Sequence, residues 1–260
     1  MINDLLPLLK PMNKKVYIYG INAVFDVLKH KPEQLIEVWI KDNATNKRLN
    51  KLIDLTQQHH ILLTRVSGNK IEQITGTSKN QGVVAAVKQP KNLDSKAALK
   101  FIKKIHNPLI LILDGLQDPR NVGACFRTAN ASGVDLIVCP RSRAVKVTPV
   151  VSKVSAGASA LMPIAEIPNL VRFMKELKQI GVWIFGTSDQ AKLNYCEADY
   201  ICPMAIIVGS EGKGMRSLTT KHCDYLISIP MIGQIESLNV SVATGVLLYE
   251  VIRQRSANLV

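Results

Sequence analysis

Apolar residues recur along this chain in two rhythms: short strand-like runs, and longer stretches with the three-to-four spacing of a helix. From Val16 the order reads strand VYIYG, helix INAVFDVLKH, strand LIEVWI, helix KRLNKLIDLTQQHH, strand ILLTRV, a helix around NKIEQIT, and strand GVVAAV ending at Val87. Runs of β-branched and aromatic residues bounded by turn residues read as strands, and the amphipathic stretches between them as helices. Residues 16–88 are therefore expected to form a compact α/β module. Residues 1–15 (MINDLLPLLKPMNKK) combine Pro11 with a lysine pair and read as a flexible extension. Residues 89–107 hold Pro90 and many lysines, with little apolar periodicity before their end, and read as a linker with at most a short helix.

A second domain, 108–260, opens on strand LILILDG, followed by a helix across NVGACFRTANASG and strand DLIVCP. A loop with Arg141, Arg143 and Lys146 precedes a helix expected near Thr148–Ser159, helix NLVRFMKELKQIG and strand VWIFGT. Strand AIIVG, a glycine-rich block, strand YLISIP and a terminal helix to about Arg255 complete it. Strands alternating with helices in this way predict a mostly parallel sheet covered on both faces. No apolar run approaches the roughly 20 residues that span a bilayer, so no membrane association is expected.

Composition adds a partner class. Hydrophobic residues make up 47% of the 260 and charged residues 20%, enough apolar content for a real core. The net charge of +13 is unevenly placed: residues 1–107 hold 18 Lys and Arg against 8 Asp and Glu, while residues 108–260 hold 15 against 12. Positive charge concentrated in one region suits a polyanion, because each phosphate neutralised releases counterions. A solvated basic surface is the plainer alternative. The five cysteines include no CxxC pair, and His222 beside Cys223 has no second ligand pair at metal spacing. Reduced cysteines, a cytoplasmic location and no metal are expected.

Three polar blocks each follow a strand-like run: LDGLQDPRNVGACFRTA (113–129), VGSEGKGM (208–215) and SLNVSVATG (237–245). Loops at the carboxyl edge of a parallel sheet are where α/β proteins bind ligands. In the second block Lys213 is followed by Gly214 rather than Ser or Thr, and the glycine spacing is not GxGxxG. Both the Walker and the dinucleotide readings fail there, and with them a nucleotide-dependent oxidoreductase. What remains is a turn whose glycines admit close backbone approach, with Glu211 inside it. Arg127 has the planar, permanently charged fork that suits a phosphate or substrate clamp, though a surface arginine reads equally well. Asn121 lies six residues earlier, a helical displacement of about 240° after full turns, so the two share a site only if Asn121 belongs to the loop. Ser237 and Asn239 are helix-capping residues by type.

Together the three blocks resemble the three motifs of the SpoU branch of the SPOUT RNA methyltransferases, which methylate ribose 2′-hydroxyls with S-adenosylmethionine. The likeness runs from about Val16 to Arg255, including NVGACFRTA, LISIPM and SLNVSVATG, and is strongest to members acting on a guanosine ribose in the peptidyl-transferase loop of 23S rRNA. It implies a catalytic domain with a deep trefoil knot, an N-terminal module similar to ribosomal protein L30e that binds the RNA, and a homodimer with active sites at its interface. By motif position it implies that Gly209, Ile229, Leu238 and Thr187 contact S-adenosylmethionine. Asn121, Arg127, Glu211, Ser237 and Asn239 fall on catalytic or RNA-positioning positions. Arg120, Phe126 and the first 15 residues depart from the pattern without touching a motif residue. A methyltransferase of tRNA or of another rRNA ribose is the alternative within the class, the N-terminal module favouring rRNA. A noncatalytic RNA-binding assembly protein is the alternative outside it, disfavoured by the joint presence of the five motif residues.

Overall fold

A computed structural model describes residues 15–44, 46–88, 92–141, 151, 154, 155 and 157–257. Residues 1–14 of the expected extension, Arg143, Lys146 and most of the helix expected near Thr148–Ser159 lie outside the described residues. The chain divides into two units, Met1–Gln89 and Pro90–Val260.

In the first unit, strand β1 (Lys15–Tyr19) leads to helix α1 (Ile21–His30), and β2 (Leu35–Lys41) to α2 (Lys47–Gln58). Strand β3 (Leu62–Val66), helix α3 (Gly68–Thr75) and strand β4 (Val83–Lys88) follow. These elements match the expected ones within a residue or two. A 3-10 turn at Pro32–Gln34 is additional. The sheet order is β1-β4-β2-β3, with β2 and β3 parallel and β4 antiparallel to both β1 and β2. Asn46 and Ser67 cap α2 and α3, accepting from the backbone N–H groups of Leu49 at 2.8 Å and Lys70 at 3.4 Å.

The segment expected as a linker is largely built into the second unit. Leu93 pairs in parallel with Ala165, and helix α4 (Ser95–Ile102), capped by Asp94, buries Ala98 and Ile102. Its apolar positions 98, 99, 101, 102 and 105 do have helical spacing, but lysines at 96, 100, 103 and 104 obscure it.

The second unit is a seven-stranded sheet in which every pairing is parallel. Its strands are β5 (Leu109–Asp114), β6 (Leu136–Pro140), β7 (Ile164–Ile167), β8 (Trp183–Thr187), β9 (Leu193–Asn194), β10 (Met204–Gly209) and β11 (Tyr225–Ser228), in the order β7-β6-β5-β10-β8-β11-β9. The helices are α5 (Pro119–Ala131), α6 (Ala158–Leu161), α7 (Leu170–Gln179), α8 (Ser217–Lys221) and α9 (Val240–Ala257). Strands β7 and β9 and helix α8 had no counterpart in the sequence reading. The first is flanked by Pro163 and Pro168 and the second is two residues long.

Alternation along the central strands builds two cores. Leu109, Leu111 and Leu113 of β5 pack on one face with Cys125 and Phe126 of α5 and Leu247, Leu248 and Val251 of α9. Ile110 and Ile112 pack on the other with Ala98 of α4 and Phe173, Met174 and Leu177 of α7. Helices on both faces leave one place where polar side chains can gather around a ligand: the carboxyl ends of the strands.

Candidate active site

Strand β5 is apolar until its last residue, Asp114, whose side chain is wholly buried and meets the guanidinium of Arg216 at 2.6 Å. Arg216 Nε donates to Asp114 Oδ1 at 2.7 Å, and the Arg216 backbone N–H donates to Oδ2 at 3.1 Å. A buried carboxylate is tolerable only when paired and hydrogen-bonded, and here three donors from one residue do it. The result fixes the start of α8 against the end of β5. Between them the glycine-rich block is drawn into a tight loop, Ser210 and Gly214 exchanging backbone hydrogen bonds of 3.0 and 2.8 Å. A Cβ on Gly209 would collide with the backbone of Gly214 and Met215, so glycine is required where the loop folds back over the strand end. Gly214 itself has φ +62°.

The first and third polar blocks meet this loop. Asp118 caps α5 by accepting from the Arg120 N–H at 2.9 Å, with Pro119 at the first helical position, which places Asn121 in the first turn. Asn239 immediately precedes α9, and its Oδ1 accepts from the Ser241 N–H at 3.0 Å and the Ser241 hydroxyl at 2.6 Å. Capping thereby turns its amide nitrogen outward. That nitrogen donates to Glu211 Oε1 at 2.6 Å and to Asn121 Oδ1 at 3.1 Å. Asn239 thus joins all three blocks, and the Glu211 carboxylate sits where the amino ends of two long helices favour negative charge.

The cluster borders a cavity of about 370 Å3 whose wall includes Asp114, Gln117, Asn121, Glu211, Lys213 and Arg216. Beneath it, burial first, with the charge of Glu211 adding, pushes the Cys125 thiol up to about 11, against a partial offset from its contact with Thr244. That contact, Cys125 Sγ to Thr244 Oγ1 at 3.6 Å, ties α5 to α9.

Of the nine residues singled out by sequence, Asn121, Glu211 and Asn239 are hydrogen-bonded together. Arg127 is exposed and has no hydrogen-bond or ion-pair partner among the described residues. Helix α5 begins two residues before Asn121, so Asn121 is helical rather than in the loop, and Arg127, six residues on in the third turn, stands on a different face of the helix. Ser237 is exposed and also without a hydrogen bond among the described residues. Thr187 ends β8, Gly209 ends β10 and Ile229 follows β11, placing these three at the carboxyl ends of adjacent strands. Leu238 is half-buried in the loop before α9. The pair the sequence reading missed is Asp114–Arg216. Its signal was a lone charge closing an apolar strand, which needs a partner.

Turns of this kind at the edge of an all-parallel sheet, with no dinucleotide fingerprint, define an α/β protein whose three polar loops meet in one small hydrogen-bonded cluster. The chain belongs to the SpoU rRNA methylase family, whose model matches residues 108–249. Residues 17–93 match the RNA 2′-O ribose methyltransferase substrate-binding domain. It is 43% identical over 247 residues, covering 95% of this chain and 98% of the relative, to the 23S rRNA (guanosine-2′-O-)-methyltransferase RlmB of Coxiella burnetii. Among solved structures it is similar to the SpoU methyltransferase AviRb from Streptomyces viridochromogenes in complex with the cofactor AdoMet (TM-score 0.74, 21% identity, 94% and 91% of the two chains). It is likewise similar to an RNA 2′-O ribose methyltransferase (TM-score 0.73, 25% identity, 94% and 90% covered). Among the described residues no group of His, Cys, Asp and Glu could hold a metal ion, and no helix is long and apolar enough to cross a membrane.

Proposed function

We propose that this protein is an S-adenosylmethionine-dependent methyltransferase that modifies the 2′-hydroxyl of a guanosine in the peptidyl-transferase loop of 23S rRNA, acting in the cytoplasm during ribosome biogenesis. The observation that carries the reading is the hydrogen-bonded meeting of Asn121, Glu211 and Asn239, one from each polar block. The 43% identical Coxiella relative with that named activity, matched over nearly its whole length, supports the substrate.

The residues present fit the cofactor. Gly209 has no room for a side chain, leaving a backbone-walled turn; Thr187 and Ile229 stand at the neighbouring strand ends, and Ile229 and Leu238 add half-buried apolar surface. Bound there, S-adenosylmethionine supplies an electrophilic methyl group on sulfonium. The protein must orient a ribose hydroxyl, a poor nucleophile, in line with it and manage the hydroxyl proton. No histidine lies in any of the three blocks. Arginine is too basic to serve readily as a proton acceptor, so Arg127 is assigned to clamping the phosphate of the target nucleotide. Asn121 orients the ribose edge. Glu211 and Asn239 hold the two loops in register, and Ser237 contributes a hydroxyl to the same loop.

The working form is proposed to be a homodimer. The first half of helix α9 is mainly apolar, and Val242 and Tyr249 on it, with Ile232 and Ile235 before it, are exposed. An Arg127 without a partner among the described residues, and on a different face of α5 from Asn121, fits a site completed by a second protomer. A trefoil knot is proposed for the segment around β10, which the sheet order places between β5 and β8 although it follows both in sequence.

Incubation with labelled S-adenosylmethionine and unmodified large-subunit rRNA, small-subunit rRNA and tRNA in parallel tests the assignment. The label should map to one ribose of the large-subunit RNA, read as an alkali-resistant phosphodiester. Label confined to tRNA would keep the chemistry and refute the substrate.

A further inference from the structure

The first unit carries a surface that the catalytic argument leaves unused. Lys15 pairs with Lys88 and Tyr17 with Ala86 across β1 and β4, while Trp39 pairs with Val84 across β2 and β4. Directly paired residues, and residues two apart, project from the same sheet face. Tyr17 and Trp39 therefore stand on one face, on the two strands that flank β4. Strands β1 and β2 are two hydrogen-bonded spacings apart, roughly 9.5 Å, yet the two ring centroids are only 5.9 Å apart at an interplanar angle of 48°. The rings lean toward each other over β4, whose Val84 and Ala86 are completely buried. Tyr17 remains 40% exposed, and Leu62, on β3 beside Glu37, is 61% exposed on the same face. The result is a small, partly exposed aromatic and apolar tile with Lys15 and Lys88 at its rim.

We propose that this tile is a stacking surface for unpaired bases of the RNA substrate, with the neighbouring phosphates running along the lysine rim. Three features favour this occupant over a protein. Two rings and one leucine make a patch far smaller than the roughly 800 Å2 per partner of a stable protein interface, but they match one or two nucleobases. The rim is basic, in a unit, Met1–Gln89, that holds 13 Lys and Arg against 7 Asp and Glu. The one carboxylate on the face, Glu37, accepts from the Thr64 hydroxyl at 2.9 Å and keeps phosphate off the centre, sending the backbone to the edge. Structured RNA is read chiefly where loop bases are unstacked and available to aromatic side chains. The inference rests on the proposed RNA methyltransferase activity and adds the site on the first unit that selects the RNA.

The test uses the full chain. Trp39 and Trp183 are its two tryptophans, so Trp183→Phe leaves Trp39 as the only indole reporter. An unstructured oligoribonucleotide should quench Trp39 emission saturably, and a fully paired RNA duplex of equal length should not. In methyl-transfer assays, Tyr17→Ala should raise KM for rRNA roughly tenfold, as the loss of one base stack does, with kcat and S-adenosylmethionine binding unchanged. Tyr17→Phe should restore it. Leu62→Glu, which sets a second carboxylate across from Glu37 at an exposed position, should raise KM in the same way, its folding checked by an unchanged circular dichroism spectrum. Unchanged KM in both Tyr17→Ala and Leu62→Glu, or equal quenching by duplex and single strand, overturns the proposal. A wild-type protein that transfers no methyl group to any RNA refutes the activity instead, and the Trp39 titration still reads the surface by itself.

Discussion

Asn239 shows how one side chain serves stability and function together. Its oxygen caps α9 while its nitrogen joins Asn121 and Glu211. Asn239→Ala removes the cap, costing about 1 kcal/mol, and releases Glu211. Asn239→Asp keeps an oxygen for the cap but sets a second carboxylate against Glu211. Denaturant titration should find the Asp variant the more stable of the two, while methyl transfer is low in both; full activity in the Asp variant would remove the amide bridge from the mechanism. Arg127 is the complementary case, an exposed side chain with no structural partner among the described residues. Arg127→Ala should leave the unfolding midpoint within about 0.5 kcal/mol of wild type and cofactor affinity intact, yet lower turnover by two or more orders of magnitude. Near-normal turnover would show that Arg127 does not touch the reacting groups. Residue types and order in the three blocks were readable from sequence. That Asn239 joins them was not, because residues 28 and 118 positions away meet only through the fold.

At the scale of elements, the Asp114–Arg216 contact clamps the end of β5 to the start of α8, with the glycine-rich loop held between. Arg216→Met would leave a buried carboxylate without its cation, a loss of about 3 kcal/mol, and should also weaken cofactor binding by loosening the loop. Asp114→Asn, which keeps hydrogen-bonding capacity, should cost less, and equal losses would contradict the clamp. Burial pushes the thiols of Cys125 up to about 11 and of Cys139 and Cys223 to about 12, from an ordinary 9.0. Above pH 9 the unfolded chain releases these protons while the folded protein keeps them, so the folded state binds more protons and stability falls as pH rises. Unfolding free energies at pH 8 and pH 10 should show that fall, and Cys→Ser replacement at 139 should reduce it. The periodic elements were legible in the sequence because their apolar faces are regular. Strand β7, enclosed by prolines, was not, and for α4 a short helix was legible but its place in the core was not, because burial is set by neighbours distant in sequence.

At the scale of the molecule, the boundary between units has a measurable consequence. Because Leu93, Ala98 and Ile102 belong to the second unit's sheet and core, a protein beginning at Pro90 should fold cooperatively and bind S-adenosylmethionine. One beginning at Pro108 loses two buried apolar side chains and should be less stable by several kcal/mol. Equal stability of the two truncations would return residues 92–107 to the role of a linker. Both should lose selection among RNAs, since the matched substrate-binding domain, residues 17–93, is removed or broken. The central claim is the chemistry and its target, and nucleoside analysis of the product tests it most directly. After reaction with unmodified 23S rRNA and S-adenosylmethionine, digestion to nucleosides should yield one 2′-O-methylguanosine per RNA and no methylated base; a base-methylated nucleoside, or no methylated product from a protein that binds the cofactor, would contradict it.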